Sequence, residues 1–192
     1  MPTIIGLLRH GQTDWNIDMR LQGISDIPMN ETGHKQAKNA AAVLAKGEWN
    51  QVISSPLDRA MVTARYAADA LGIPEIQIHE LLLERSFGVA EGSSYEEWRE
   101  RLQAGIHAEG AESVEQLEIR VSRLLDELAN TYEGQSVIAV SHGALIRKLI
   151  GLVSDGEFPR DGERFGNASL TKIIHDGTSW KILDYNPATL TL

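Results

Sequence analysis

The 192-residue chain contains no cysteine, which excludes disulfides, a thiolate nucleophile and cysteine-ligated zinc or iron–sulfur sites. Long hydrophobic runs are missing too. The apolar start, Ile4-Ile5-Gly6-Leu7-Leu8, stops at Arg9-His10, has no basic segment before it, and is too short for a secretion signal or a membrane span. Positive charge is scarce: 18 Lys and Arg stand against 27 Asp and Glu, giving a net charge of -9. So acidic a chain is poorly suited to nucleic acid or an anionic membrane, whose phosphates need a basic face. A local basic pocket for a small anion stays open. These absences lead us to expect a cytoplasmic protein with no membrane and no nucleic-acid partner.

What is present is an ordinary globular composition, 42% hydrophobic and 23% charged, in a length that suits one domain. No repeat, low-complexity tract or linker divides it, so residues 1–192 are read as one domain. Strand-like apolar runs alternate with helical patterns, the mark of an α/β fold. Strands are expected at 3–8, 52–54, 76–79 and 136–141. The interior of the last of these, Val137-Ile138-Ala139-Val140, is continuously apolar, as in a central strand buried on both faces. Helices are expected from 31 to 46, from the Ser55-Pro56 start to Leu71, and from 144 to 152. Ser94 with Glu97 and Ser113 with Gln116 have capping-box spacing, which predicts helix starts at both. A terminal hairpin around Asp176-Gly177 offers an edge for pairing with a second copy.

Two places share one design, a buried strand ending in His-Gly: His10-Gly11 and His142-Gly143. In open α/β sheets ligands bind beyond the carboxyl ends of strands, where a glycine permits a sharp turn and close backbone approach. If the two strands are neighbours, the histidines share one crevice. Arg9 adjoins the first, and Arg59 lies in the opening turn of the helix begun by Ser55-Pro56. Guanidinium forks match phosphate oxygens, and helix N-termini add a positive field. The residues alone therefore suggest a phosphoryl site, set against the plainer reading of strand-end turns and arginines paired with surface carboxylates.

Arg9-His10-Gly11-Gln12-Thr13-Asp14-Trp15-Asn16 resembles the signature of the histidine phosphatase superfamily, the phosphoglycerate mutase-like family. Further segments follow in family order: Arg20 to Gly23 with Asp26 to Asn30, Ser54 to Ala60 with Thr63-Ala64, Leu83 to Gly88 with Glu91-Gly92, Glu112-Ser113 with Arg120-Val121, Ser141 to Gly143, and Asn167 to Ser169. The resemblance spans nearly the whole chain. It implies a three-layer α/β/α sandwich with a mostly parallel central sheet, and a small cap segment around 85–112.

The resemblance also implies roles. His10 would be the nucleophile that forms a phosphohistidine, its other ring nitrogen donating to a backbone carbonyl near Gly11. Arg9, Asn16, Arg59 and His142 would surround the phosphoryl oxygens, with Gln22, Gly23 and Gly143 lining the substrate site. Glu84 would hand a proton to the leaving alkoxide and then activate water, with Asp14 as its rival. No metal and no cofactor would be needed, because the cationic side chains supply the charge stabilisation.

The stretch between Glu84 and Ser113 is short and acidic, and Phe87 stands where the family's mutases carry tyrosine. Both features favour hydrolysis of a small phosphomonoester over cofactor-dependent mutation of phosphoglycerate; an inactive phospho-ligand binder is a third reading. Arg85, Arg99 and Arg101 are candidates to meet a distal carboxylate on the substrate.

Overall fold

In the computed structural model, residues 1–191 are described. Six strands form one sheet: β1 (Thr3–Arg9), β2 (Gln51–Ser54), β3 (Ile76–Ile78), β4 (Ser136–Ser141), β5 (Leu170–His175) and β6 (Trp180–Asp184). Their spatial order is β3-β2-β4-β1-β5-β6, with β1, β2, β3 and β4 parallel and β5 and β6 antiparallel. The fold is the mostly parallel α/β architecture expected.

Side-chain alternation along the strands builds the two helix layers. Ile5, Leu7, Val137 and Ala139 face a core shared with Leu117, Val121, Leu124, Leu145 and Leu149. The intervening Leu8, Ile138 and Val140 face the other way, onto Ala40, Leu44, Ala60 and Ala64. The first set of partners lies on helices α5 (Val114–Thr131) and α6 (Gly143–Val153), the second on α2 (Glu31–Leu44) and α3 (Asp58–Leu71). A sheet covered on both faces needs apolar residues at every strand position, and Val137 to Val140 are all fully buried.

The short helices α1 (Asp14–Ile17) and α4 (Tyr95–Gln103) lie outside these layers. Thr13 caps α1, and Ser94 and Ser113 form the expected capping boxes at the starts of α4 and α5. Around α4, Trp98 and Phe87 meet edge to face at 5.6 Å and with Leu21 and Ala90 make a small core of their own.

Two local expectations are corrected. Helix α3 begins at Asp58 and its N-cap is Leu57, whose side chain cannot cap; the Asp58 N–H donates to Asp26 Oδ1 at 2.8 Å. Ser55 lies outside the helix, with its hydroxyl committed elsewhere. Neither His-Gly glycine has a positive φ. Gly11 is required by close packing, since a Cβ there would stand 2.4 Å from the Gly33 carbonyl oxygen of α2. Gly143 is the first residue of α6, where a Cβ would press the Arg9 guanidinium at 3.4 Å.

Candidate active site

Strands β1 and β4 are adjacent and in register, Arg9 opposite Ser141, so His10 and His142 emerge side by side with ring centroids 5.1 Å apart. The helices that follow them, α2 and α6, leave towards opposite faces of the sheet. That divergence makes the crevice between the strand ends a topological switch point.

His10 is 2% exposed, and its Nδ1 lies 2.7 Å from the Gly11 carbonyl oxygen. A carbonyl only accepts, so Nδ1 carries the proton and Nε2 keeps its lone pair. Burial, reinforced by Arg59 and Arg9, holds the His10 pKa well below its ordinary value, so the ring is neutral at pH 7. His142 is fully buried, and its pKa is lowered likewise, by burial first and then by Arg59 and His10. Its Nε2 sits 2.7 Å from the Ser55 hydroxyl, while its buried Nδ1 has no partner among the described residues. The Ser55 Oγ also accepts from the Leu57 N–H at 3.4 Å, which leaves the hydroxyl proton free to be donated to His142 Nε2. With that donation Nδ1 carries the proton, a donor with no partner among the described residues.

The two arginines are placed by backbone carbonyls. Arg59 is fully buried and donates to the Ser25 and Gly23 carbonyls, both at 2.7 Å, leaving Nε unpaired among the described residues. Arg9 donates to the Phe165 carbonyl, and its buried Nε also lacks a partner among the described residues. Burial lowers the Arg9 pKa to about 10, so it stays charged at neutral pH. Two unpaired guanidinium N–H groups and the His142 Nδ1 are the donor set an anion would satisfy, inside a chain of net charge -9.

Asn16 accepts through Oδ1 from the backbone and hydroxyl of Thr13 and from Asn167, leaving its Nδ2 without a partner among the described residues. Gln22 is buried and accepts from the Thr13 hydroxyl at 2.9 Å. Gly23 has φ +54°, a left-handed conformation that suits glycine. A Cβ there would stand 2.0 Å from Glu91 Oε1.

The Glu84 carboxylate accepts from the backbone N–H groups of Arg85, Ala144 and Leu145, at 2.9, 3.0 and 3.0 Å. It thus sits on the N-terminus of α6, one helical turn from His142, and its charge acts on both Arg9 and Arg59. The Arg85 side chain turns away, onto the Glu112 carbonyl and over the Phe87 ring. Asp14 is exposed and accepts from Asn30.

Several positioning residues escaped the sequence reading as site residues. Arg120 donates to the Leu81, Leu83 and Glu84 carbonyls while gripping Glu112 in a two-pronged ion pair at 2.7 Å, so it holds the strand of chain that carries Glu84. Glu91 accepts from the N–H groups of Ile24, Ser25 and Phe87 and from the Ser25 hydroxyl, clamping the loop whose carbonyls hold Arg59. Asn167 ties the His10 carbonyl to Asn16. Arg120, Glu91 and Asn167 all lie in segments that carry the family resemblance.

The model of the histidine phosphatase superfamily, branch 1, matches residues 5–187. The chain belongs to this superfamily. Among its histidine phosphatase relatives, a Bacillus subtilis protein described as an uncharacterized phosphatase, PhoE, is 35% identical over 96% of this chain and 94% of its own. Two solved phosphatases share the fold. A mycobacterial glucosyl-3-phosphoglycerate phosphatase has a TM-score of 0.83 at 28% identity, covering 98% of this chain and all of the other. The phosphoserine phosphatase of Entamoeba histolytica, solved with 3-phosphoglyceric acid, has 0.84 at 28%, covering 99% and 100%. The superfamily and these neighbours make this histidine phosphatase an enzyme of phosphoryl chemistry. No described helix is long and apolar enough to cross a membrane.

Proposed function

We propose that the protein is a metal-independent phosphomonoester hydrolase working through a phosphohistidine on His10. The observation that carries the proposal is the 2.7 Å approach of His10 Nδ1 to the Gly11 carbonyl, because it leaves Nε2 as a neutral nucleophile. Nε2 attacks phosphorus, the P–O bond to the leaving alcohol breaks, and the phosphoryl group rests on His10. Arg9, Arg59, His142 Nδ1 and Asn16 Nδ2 donate to its oxygens, replacing water with fixed dipoles and charges as negative charge shifts. Glu84 carries the proton that the departing alkoxide takes. It can then draw a proton from the water that attacks phosphorus, which releases phosphate and frees His10. The Glu84 charge is felt by both Arg9 and Arg59, which places it nearer the phosphoryl donors than exposed Asp14 and favours it for this role.

Hydrolysis, rather than mutation, is supported by the phosphatases among the relatives and by Phe87, which packs on Trp98 and offers no hydroxyl. The substrate is a small phosphorylated metabolite, and the segment 85–112 caps its site. In p-nitrophenyl phosphate assays containing EDTA, the native protein should retain full activity. His10→Ala should lose turnover and the acid-labile phosphoenzyme together. Near-normal activity in that variant overturns the mechanism, and loss of native activity on chelation overturns metal independence.

A further inference from the structure

The peptide that fixes the His10 tautomer is itself held from behind. The Gly11 carbonyl and the Gln12 N–H belong to one trans peptide unit, in which they point in opposite directions. The carbonyl faces His10 Nδ1, while the Gln12 N–H donates to Gln36 Oε1 at 2.9 Å. A peptide N–H only donates, so the Gln36 amide presents its oxygen there. His10, one peptide and Gln36 thus form a single chain of hydrogen bonds, Nδ1–H to C=O and N–H to Oε1.

Close packing brings Gln36 to that place. Gly33 of α2 passes so near the loop that a Cβ on it would stand 2.2 Å from the Gln12 carbonyl oxygen. Gln36 lies three residues on, along the same face of the helix, and reaches the N–H from that docked position. On the other side of Gly11, its own N–H donates to the Thr63 hydroxyl at 3.1 Å, and that hydroxyl donates to the Arg59 carbonyl at 2.8 Å. Both peptides that flank Gly11 are therefore pinned by side chains, one from α2 and one from α3.

We propose that Gln36 is a positioning residue for the nucleophile, acting on His10 Nδ1 through the Gly11–Gln12 peptide. The inference rests on the reading of His10 as the nucleophile of a hydrolase. As Nε2 bonds to phosphorus, positive charge develops on the ring and its Nδ1–H donates more strongly to the carbonyl. The proton stays on Nδ1 throughout. A carbonyl polarised in this way makes the N–H of the same peptide a stronger donor, and Gln36 Oε1 accepts it. Gln36 thus orients and stabilises the ring at one peptide's remove, a task that a carboxylate performs by direct contact with many catalytic and metal-bound histidines. A neutral amide does so without adding negative charge beside an anionic substrate.

The test begins with the whole chain free of ligand. In protein labelled with nitrogen-15 histidine, the His10 Nδ1–H resonance is assigned by its loss in His10→Ala. Gln36→Met keeps side-chain length and helix propensity but removes the acceptor oxygen, and Gln36→Glu restores an acceptor. Position 36 is only partly buried, so both variants should fold. In Gln36→Met the Nδ1–H resonance should move upfield and exchange faster with water; in Gln36→Glu it should return to its native place or beyond. Rapid-quench phosphoenzyme formation from p-nitrophenyl phosphate should slow about fivefold in Gln36→Met, the scale of one net hydrogen bond, and recover in Gln36→Glu. Affinity for inorganic phosphate should be unchanged in Gln36→Met, since Arg9 and Arg59 keep their places. An unmoved Nδ1–H resonance in Gln36→Met, a Gln36→Glu variant as slow as Gln36→Met, or a loss confined to phosphate affinity overturns the proposal. The upfield shift and its recovery sustain the Gln36 assignment even if no ester turns over, and that failure then counts against the hydrolase reading alone.

Discussion

Single hydrogen bonds decide the protonation pattern of the two histidines. Gly11 offers a carbonyl and can only accept, so it selects the His10 tautomer without ambiguity; Ser55 offers a hydroxyl, which fixes the His142 tautomer with Nδ1 protonated when it donates to Nε2. Ser55→Ala should therefore leave His142 free to exchange tautomers and slow turnover by about tenfold, the worth of one net hydrogen bond. Nitrogen chemical shifts should report Nδ1 protonated in the native protein and a tautomer mixture in the variant, with Ser55→Thr restoring the native pattern. An unchanged spectrum would reduce Ser55 to a packing residue. The sequence concealed this role because a serine before proline is equally good as a helix cap. The use of its hydroxyl depends on where residue 142 lies in space. The His10 tautomer was legible, since its partner is the next residue.

At the level of elements, the helix starts were readable wherever the signal is local. Ser94 with Glu97 and Ser113 with Gln116 satisfy one another within four residues, and both helices begin there. The repeated His-Gly ending raised the adjacency of β1 and β4 only as a condition, and the strand register supplies it. The clamps were not readable as such, because Arg120 and Glu91 reach carbonyls and N–H groups 36 to 39 and 4 to 67 residues distant. One prediction belongs to such a clamp. Gly23→Ala would impose a left-handed strain of about 1–2 kcal/mol and evict the Glu91 carboxylate, whose Oε1 occupies the space of the new Cβ. Melting should fall by roughly 4–8 °C for a loss of about 2 kcal/mol in a chain of this size. Activity should fall further than stability explains, since the loop also aims Arg59. A variant with native melting and native rate would show that the loop yields without cost.

Over the whole molecule, the buried neutral histidines tie stability to pH. Both pKa values are lowered in the folded state, so below about pH 6.5 the unfolded chain binds more protons than the folded one. Stability contributed by these groups is thus complete above that pH and is lost as the pH falls towards their folded values. His10→Ala removes one of the proton-uptake sites, which include His142 and the less buried His79, and should flatten the decline in melting temperature between pH 7 and pH 5. An identical slope in the native protein and the variant would assign acid sensitivity to other groups. The same lowered pKa should keep the acid limb of kcat/KM attributable to His10 below pH 6.5.

The adjacency of β1 and β4 has a consequence for synthesis. The first strand, with Arg9 and His10, leaves the ribosome early, but its neighbour and His142 follow only when about three-quarters of the chain has been made. Until β4 slots between β1 and β2, the nucleophile has no partner histidine, and the β1 edge where it sits is unpaired on that side. A nascent or truncated chain is therefore catalytically silent. Appearance of activity during translation would time the insertion of a single central strand.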